Sequence, residues 1–146
     1  MTRKLVIAIV VICMTSCTMP TPLYYWGKAS GGVSSYENLS YKRYDKESPK
    51  VICMAMAMYE DLLAHPGGTR QVPPPGICAE YAHMLLQADI LDIFDEHATK
   101  EQKKQFENSP YGSDPYLKAM KLFEKEIETY PESAQFITPL LTKFKK

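Results

Sequence analysis

Apolar residues recur at three- and four-residue intervals along most of this chain, and no stretch alternates in the two-residue rhythm of a strand. The clearest run is Ile52, Ala55, Met58, Tyr59, Leu62 and Leu63. It is preceded by Ser48-Pro49, a hydroxyl cap followed by a proline at the first helical position, and stopped by Pro66-Gly67-Gly68. The spacing predicts a helix over 49–65. After the stiff connector Val72-Pro73-Pro74-Pro75-Gly76, a second stripe follows: Ile77, Cys78, Tyr81, Ala82, Leu85 and Ala88. Its continuation through Ile90, Leu91, Ile93 and Phe94 is broken by charges and reads ambiguously. Asp114-Pro115 opens a third helix carrying Tyr116, Ala119, Met120, Phe123, Ile127 and Tyr130, closed by Pro131. A fourth begins at Ser133 with Phe136, Ile137, Leu140, Leu141 and Phe144, and Pro139 is expected to kink it. Shorter helices are predicted over Ser34–Tyr41, from the Ser34/Glu37 capping pattern, and from Thr99 to Glu107, from Thr99/Gln102. Lys42 to Lys50 reads as a solvated connection. The class is all-α, with about four main helices.

The N-terminus follows a different logic. Arg3 and Lys4 precede Leu5–Met14, an apolar core too short to span a bilayer, which needs about 20 residues. This is the form of an export signal. Met14-Thr15-Ser16-Cys17 has the small residues before cysteine that a lipoprotein peptidase requires, so residues 1–16 are expected to be removed and Cys17 acylated. Such acylation would tether the chain to a membrane without embedding it. Thr18-Met19-Pro20-Thr21-Pro22 lacks an acidic tract, which favours the periplasmic face of an outer membrane over the cell surface. Cys53 and Cys78 remain. On antiparallel helices their axial offset is roughly 12 Å at 1.5 Å per residue, too far for a disulfide, so two buried thiols are expected.

Between anchor and helices, residues 17–47 form a tether that is unusually aromatic. Leu23-Tyr24-Tyr25-Trp26 sits among Pro20, Pro22, Gly27, Gly31 and Gly32, which preclude a regular element. Four large apolar residues in a row must dock, on this protein's own helices or on a partner. Leu23, Tyr24, Tyr25, Trp26 and Tyr36 are therefore the candidate partner-binding residues. Charge narrows the options further. Without Arg3 and Lys4, 15 basic residues face 17 acidic ones, and no basic stripe stands out for nucleic acid.

The spacing Ala119, Phe123, Glu126, Pro131 resembles the second helix of a tetratricopeptide repeat, and Tyr81, Ala82 and Leu85 resemble the small-residue seam of the first. Asp89 to Ser113 is an insertion between these halves. Met58-Tyr59-Glu60-Asp61 echoes Leu122-Phe123-Glu124-Lys125, as though 48–146 held two related hairpins. So short a stack is expected to leave an apolar end or groove uncovered, because repeats usually need three or more units to close a core.

Pro22-Leu23-Tyr24-Tyr25-Trp26-Gly27, Ser35-Tyr36, Pro74-Pro75-Gly76 with Ala79-Glu80-Tyr81, Phe123-Glu124-Lys125-Glu126 and Tyr130-Pro131-Glu132-Ser133 together resemble the bacterial lipoprotein family designated domain of unknown function 4810. The resemblance covers most of the mature chain and departs from it in the Asp89–Ser113 insertion. It implies an outer-membrane lipoprotein of the periplasm, encoded beside a CsgG-like pore lipoprotein, with no assigned activity.

Catalytic chemistry finds little support. Glu80-x-x-His83 is half of a di-iron carboxylate–histidine pattern without its second half, and its phase places Glu80, His83 and Gln87 on the solvent stripe. Asp92, Asp95, Glu96 and His97 read as a solvated face. Nucleophile elbow, phosphate loop and Cys-x-x-Cys are absent. The sequence points to no catalytic residue, metal, cofactor or small-molecule substrate. It points instead to a non-enzymatic adaptor with a CsgG-like partner, or to a structural lipoprotein of the envelope acting alone.

Overall fold

The computed structural model describes residues 21–144; the export signal and Cys17 lie outside them. Seven α-helices account for the described fold, with no strand among the described residues. They are α1 (Ser35–Asp45), α2 (Pro49–Ala64), α3 (Ile77–Leu85), α4 (Ala88–His97), α5 (Lys100–Glu107), α6 (Pro115–Thr129) and α7 (Ala134–Phe144). A 3-10 turn, Pro131–Ser133, joins the last two. None of these helices is long and apolar enough to cross a membrane.

Local chemistry sets most helix starts. The hydroxyl of Ser48 accepts from Val51 N–H at 3.4 Å with Pro49 at the first position. The Asp114 carboxylate accepts from Leu117 N–H at 2.7 Å, again ahead of a proline. Thr99 and Gln102 exchange both bonds of a capping box, at 3.2 and 2.9 Å. The first helix begins at its predicted Ser34 cap but runs a turn beyond Tyr41. There Arg43 lies across the chain, its Nη1 3.7 Å from the Met84 sulfur, and Lys42 and Arg43 suit the negative helix end.

Packing pairs the helices as α1 with α2 and α3 with α6; the latter pair is closed in space although 29 residues, 86–114, separate its members in sequence. The intervening α4 and α5 fold back over α2, where Ile90 and Phe94 are buried and Phe94 meets Phe106 at 5.4 Å. The insertion is thus a helical hairpin with its own share of the core. The repeat echo survives in burial: Ala55 and Tyr59 of α2, like Ala119 and Phe123 of α6, pair a small residue with an aromatic four positions later, all four buried. It fails one residue on, since Glu60 is buried and Glu124 is exposed. Cys53 and Cys78 are both buried free thiols, and burial pushes the Cys78 thiol up to about 12.

Two charged side chains of α6 lie inside the core, Lys118 and Glu126. Lys118 Nζ is 2.6 Å from Glu60 Oε1, which also accepts from the Tyr81 hydroxyl at 2.7 Å. The same ammonium donates to the Phe106 carbonyl at 2.9 Å and stands 3.4 Å from that ring's centroid, so it closes the C-terminal end of α5. Burial holds Lys118 below the usual lysine range against the opposing pull of Glu60. Glu126 does a different job. Gly76, with φ +87°, supplies no side-chain cap for α3, and the Glu126 carboxylate accepts from its N–H at 2.7 Å in place of one.

The aromatic tether docks on its own chain. Thr69 N–H donates to the Pro22 carbonyl at 3.0 Å and Arg70 N–H to that of Leu23 at 3.1 Å. Tyr24 meets Tyr130 edge-on at 6.3 Å beneath the Arg70 guanidinium, and Tyr25 lies against Gly67. Trp26 packs on Tyr36 at 5.1 Å while its carbonyl accepts from Tyr36 N–H at 3.2 Å.

Candidate functional site: a tyrosine-lined cleft between α1, α2 and α3

Where α1 crosses α2 and α3, the helices leave an open cleft of about 580 Å³. Its floor is apolar, from Leu39, Ala55 and Met58; its walls are polar, from Tyr36, Arg43, Tyr59, Glu80 and His83. Glu80 is the organising group. The Tyr36 hydroxyl donates to both its oxygens, at 3.0 and 2.9 Å, and the Tyr59 hydroxyl donates to Oε2 at 3.0 Å. Tyr59 in turn stacks on Tyr81 at 5.1 Å with ring planes 12° apart. A continuous polar and aromatic chain therefore runs from Trp26 through Tyr36, Glu80, Tyr59 and Tyr81 to the buried Glu60–Lys118 pair.

Glu80 and His83 are exposed, as their solvent-stripe phase predicts, but Glu80 is not free of partners. Two hydroxyl donors, Tyr36 from α1 and Tyr59 from α2, hold Glu80 at the cleft wall, where His83 joins it. Gln87 has left α3 altogether and precedes α4. Among the described residues no group of three His, Cys, Asp or Glu side chains converges as metal ligands do.

The electrostatics follow from the geometry. Burial first, and then the charge and hydrogen bond of Glu80, push the Tyr36 phenol up to about 12; Tyr59 is raised further by the same causes. A phenol whose folded-state pKa exceeds its unfolded value near 10 stabilises the fold fully below pH 10, and that contribution is lost as pH rises towards 12. Tyr36→Phe should therefore flatten the loss of thermal stability between pH 10 and 12 relative to the parent chain. Melting curves across that window check it, and unchanged steepness would contradict the Tyr36–Glu80 bond.

Of the candidate contact residues, Tyr24, Tyr25, Trp26 and Tyr36 are half-buried against the chain itself, whereas Leu23 is 61% exposed. Two residues absent from that candidate set stand out in the structure. Tyr41 and Tyr44 on α1 are 77% and 95% exposed, and Tyr44 borders the cleft. Their signal was present in the sequence as a tyrosine every three to five residues in Tyr36, Tyr41 and Tyr44, more rings than one short helix can bury. Exposed apolar side chains also remain on α6, Leu117, and on α7, Phe136 and Phe144.

Comparisons with protein-family models, curated proteins and solved structures gave no match for this chain.

Proposed function

We propose that this chain is a non-enzymatic adaptor, anchored through Cys17 to the periplasmic face of the outer membrane, and that its cleft and α1 tyrosines engage a protein partner. The observation that carries this reading is the pair Tyr41 and Tyr44, standing in water beside a cleft whose polar wall is already fixed by Glu80. Exposed tyrosines three residues apart on one helix share a face. They are also enriched at interfaces, where a ring supplies much contact area for little lost freedom. The Glu80 network commits its carboxylate to structure instead of leaving a free base, which fits recognition better than catalysis. The partner implied by the family resemblance is a CsgG-like pore lipoprotein.

Because both tyrosines are exposed, replacing them tests binding apart from folding. The acylated chain should co-purify in mild detergent with the CsgG-like lipoprotein, and Tyr41→Ser with Tyr44→Ser should lower recovery about tenfold, equivalent to about 1.4 kcal/mol. Equal recovery with both chains, or recovery with neither, would remove this reading.

A further inference from the structure

We propose that the face built from residues 22–33 and 65–76 lies flat against the lipid headgroups, so that the docked aromatic segment sets the orientation of the body on the membrane. This inference rests on the acylation of Cys17 and adds to it a specific membrane-facing surface.

Chain length supplies the first argument. Five residue steps separate Cys17 from Pro22, a reach of about 18 Å even fully extended. Pro22 and Leu23 are fixed by backbone hydrogen bonds to Thr69 and Arg70. The 66–70 loop is therefore held within that distance of the anchor point. The 16-residue helix α2 ends at this loop and begins about 24 Å away, at the end of the body where α1 stops. A featureless tether would let the body tumble; this one attaches the body by one face.

Charge supplies the second. Both segments are free of acid although the chain carries 17 acidic residues. From Thr18 to Tyr36 the only charged residue is Lys28, and from Leu62 to Ala79 only Arg70, with His65 beside it. Carboxylates from other segments stand around this face: Glu126 is buried on the Gly76 N–H, Glu37 lines the edge of the cleft described next, and Asp61 adds to burial in raising the phenol of Tyr25. Two segments that carry Lys28 and an exposed Arg70 and no acid of their own complement an anionic bilayer.

The third argument is the character of the surface. Leu23 projects outward, and a cleft of about 610 Å³ opens between Tyr24, Tyr25 and Trp26. Tryptophan and tyrosine settle at the level of the headgroups, with an apolar body towards the acyl chains and a polar edge in water. The aromatic run therefore has two roles: its inner edges dock on Tyr130, Gly67 and Tyr36, and its outer edges meet lipid.

Trp26 is the only tryptophan, which makes the test direct. The acylated protein is reconstituted into vesicles of phosphatidylethanolamine and phosphatidylglycerol, with or without bromine on the upper acyl carbons. Trp26 emission should fall about twofold in the brominated vesicles, as expected for a ring at the headgroup–acyl boundary. A reporter at the far end, Trp26→Phe with Tyr44→Trp, should be unaffected. Unquenched Trp26 in the parent protein overturns the inference without reference to any variant, and so does equal quenching of both positions. Trp26 that is silent in vesicles but becomes shielded when the CsgG-like lipoprotein is added would assign this face to a protein instead. Mass spectrometry of the same sample separates the two levels. An unmodified Cys17 removes the anchored reading itself, whereas an acylated Cys17 with unquenched Trp26 removes only the membrane-facing surface.

Discussion

Lys118→Met should cost about 3–5 kcal/mol of folding stability, the largest single-residue effect expected in this chain. Lys118 is 0% exposed and its ammonium has no water to return to. It answers Glu60 at 2.6 Å, the Phe106 carbonyl at 2.9 Å and the Phe106 ring. Methionine fills nearly the same volume, so the loss would come from the charge left behind. Glu60 would stay buried with only the Tyr81 hydroxyl to answer it, and the end of α5 would lose its donor. The double change Glu60→Gln with Lys118→Met is therefore expected to recover most of the loss. Glutamine keeps an acceptor for Tyr81 without a buried charge, and neutral replacements of buried pairs often come near to parity. Urea midpoints for the parent, single and double variants check this. A single variant within about 1 kcal/mol of the parent would mean that the pair does not hold α2, α3 and α6 together.

How far the sequence discloses this arrangement depends on where the deciding interaction lies. Ser48-Pro49 and Asp114-Pro115 are legible because cap and proline act within one turn. The end of α1 is not, because what extends it is Arg43 reaching Met84, 41 residues away. Ile90 and Phe94 look stranded among charges until α4 is seen folded over α2, which is why that stretch reads ambiguously. Lys118 and Glu126 were legible in principle. They fall in phase with Ala119, Leu122 and Phe123 on α6, and a charge on an apolar stripe asks for a buried partner. Naming the partners was beyond the sequence, since Glu60 and Gly76 come from elsewhere in the chain. Glu80 shows the reverse case. Its phase on α3 is right for solvent and it is exposed, but only the hydroxyls of Tyr36 and Tyr59, brought from α1 and α2, make it the hub of a cleft. The aromatic tether was legible as a segment that must dock, but its seat is a glycine loop with no apolar pattern to announce it.

That seat can be tested at one atom. Gly68 sits at φ +75°, and a Cβ there would stand 2.5 Å from the Leu23 carbonyl oxygen and 2.7 Å from that of Pro22. Both obstacles are backbone and cannot rotate aside. Gly68→Ala is thus expected to pay roughly 1–2 kcal/mol for the left-handed conformation and, beyond that, to break the hydrogen bonds from Thr69 and Arg70 that hold the tether. Gly31→Ala is the matched control, since Gly31 also has positive φ, +62°, but nothing lies within 4 Å of its Cβ position. Strain alone should leave Trp26 packed on Tyr36; loss of the seat should free it. In detergent solution Trp26 emission should accordingly move to longer wavelength in Gly68→Ala and stay in place in Gly31→Ala, with proteolysis between residues 22 and 34 accelerating only in the former. If both variants keep the parent spectrum, the tether is held by its aromatic contacts and not by the loop. The orientation of the body would then rest on Tyr24 against Tyr130 and Trp26 against Tyr36 alone.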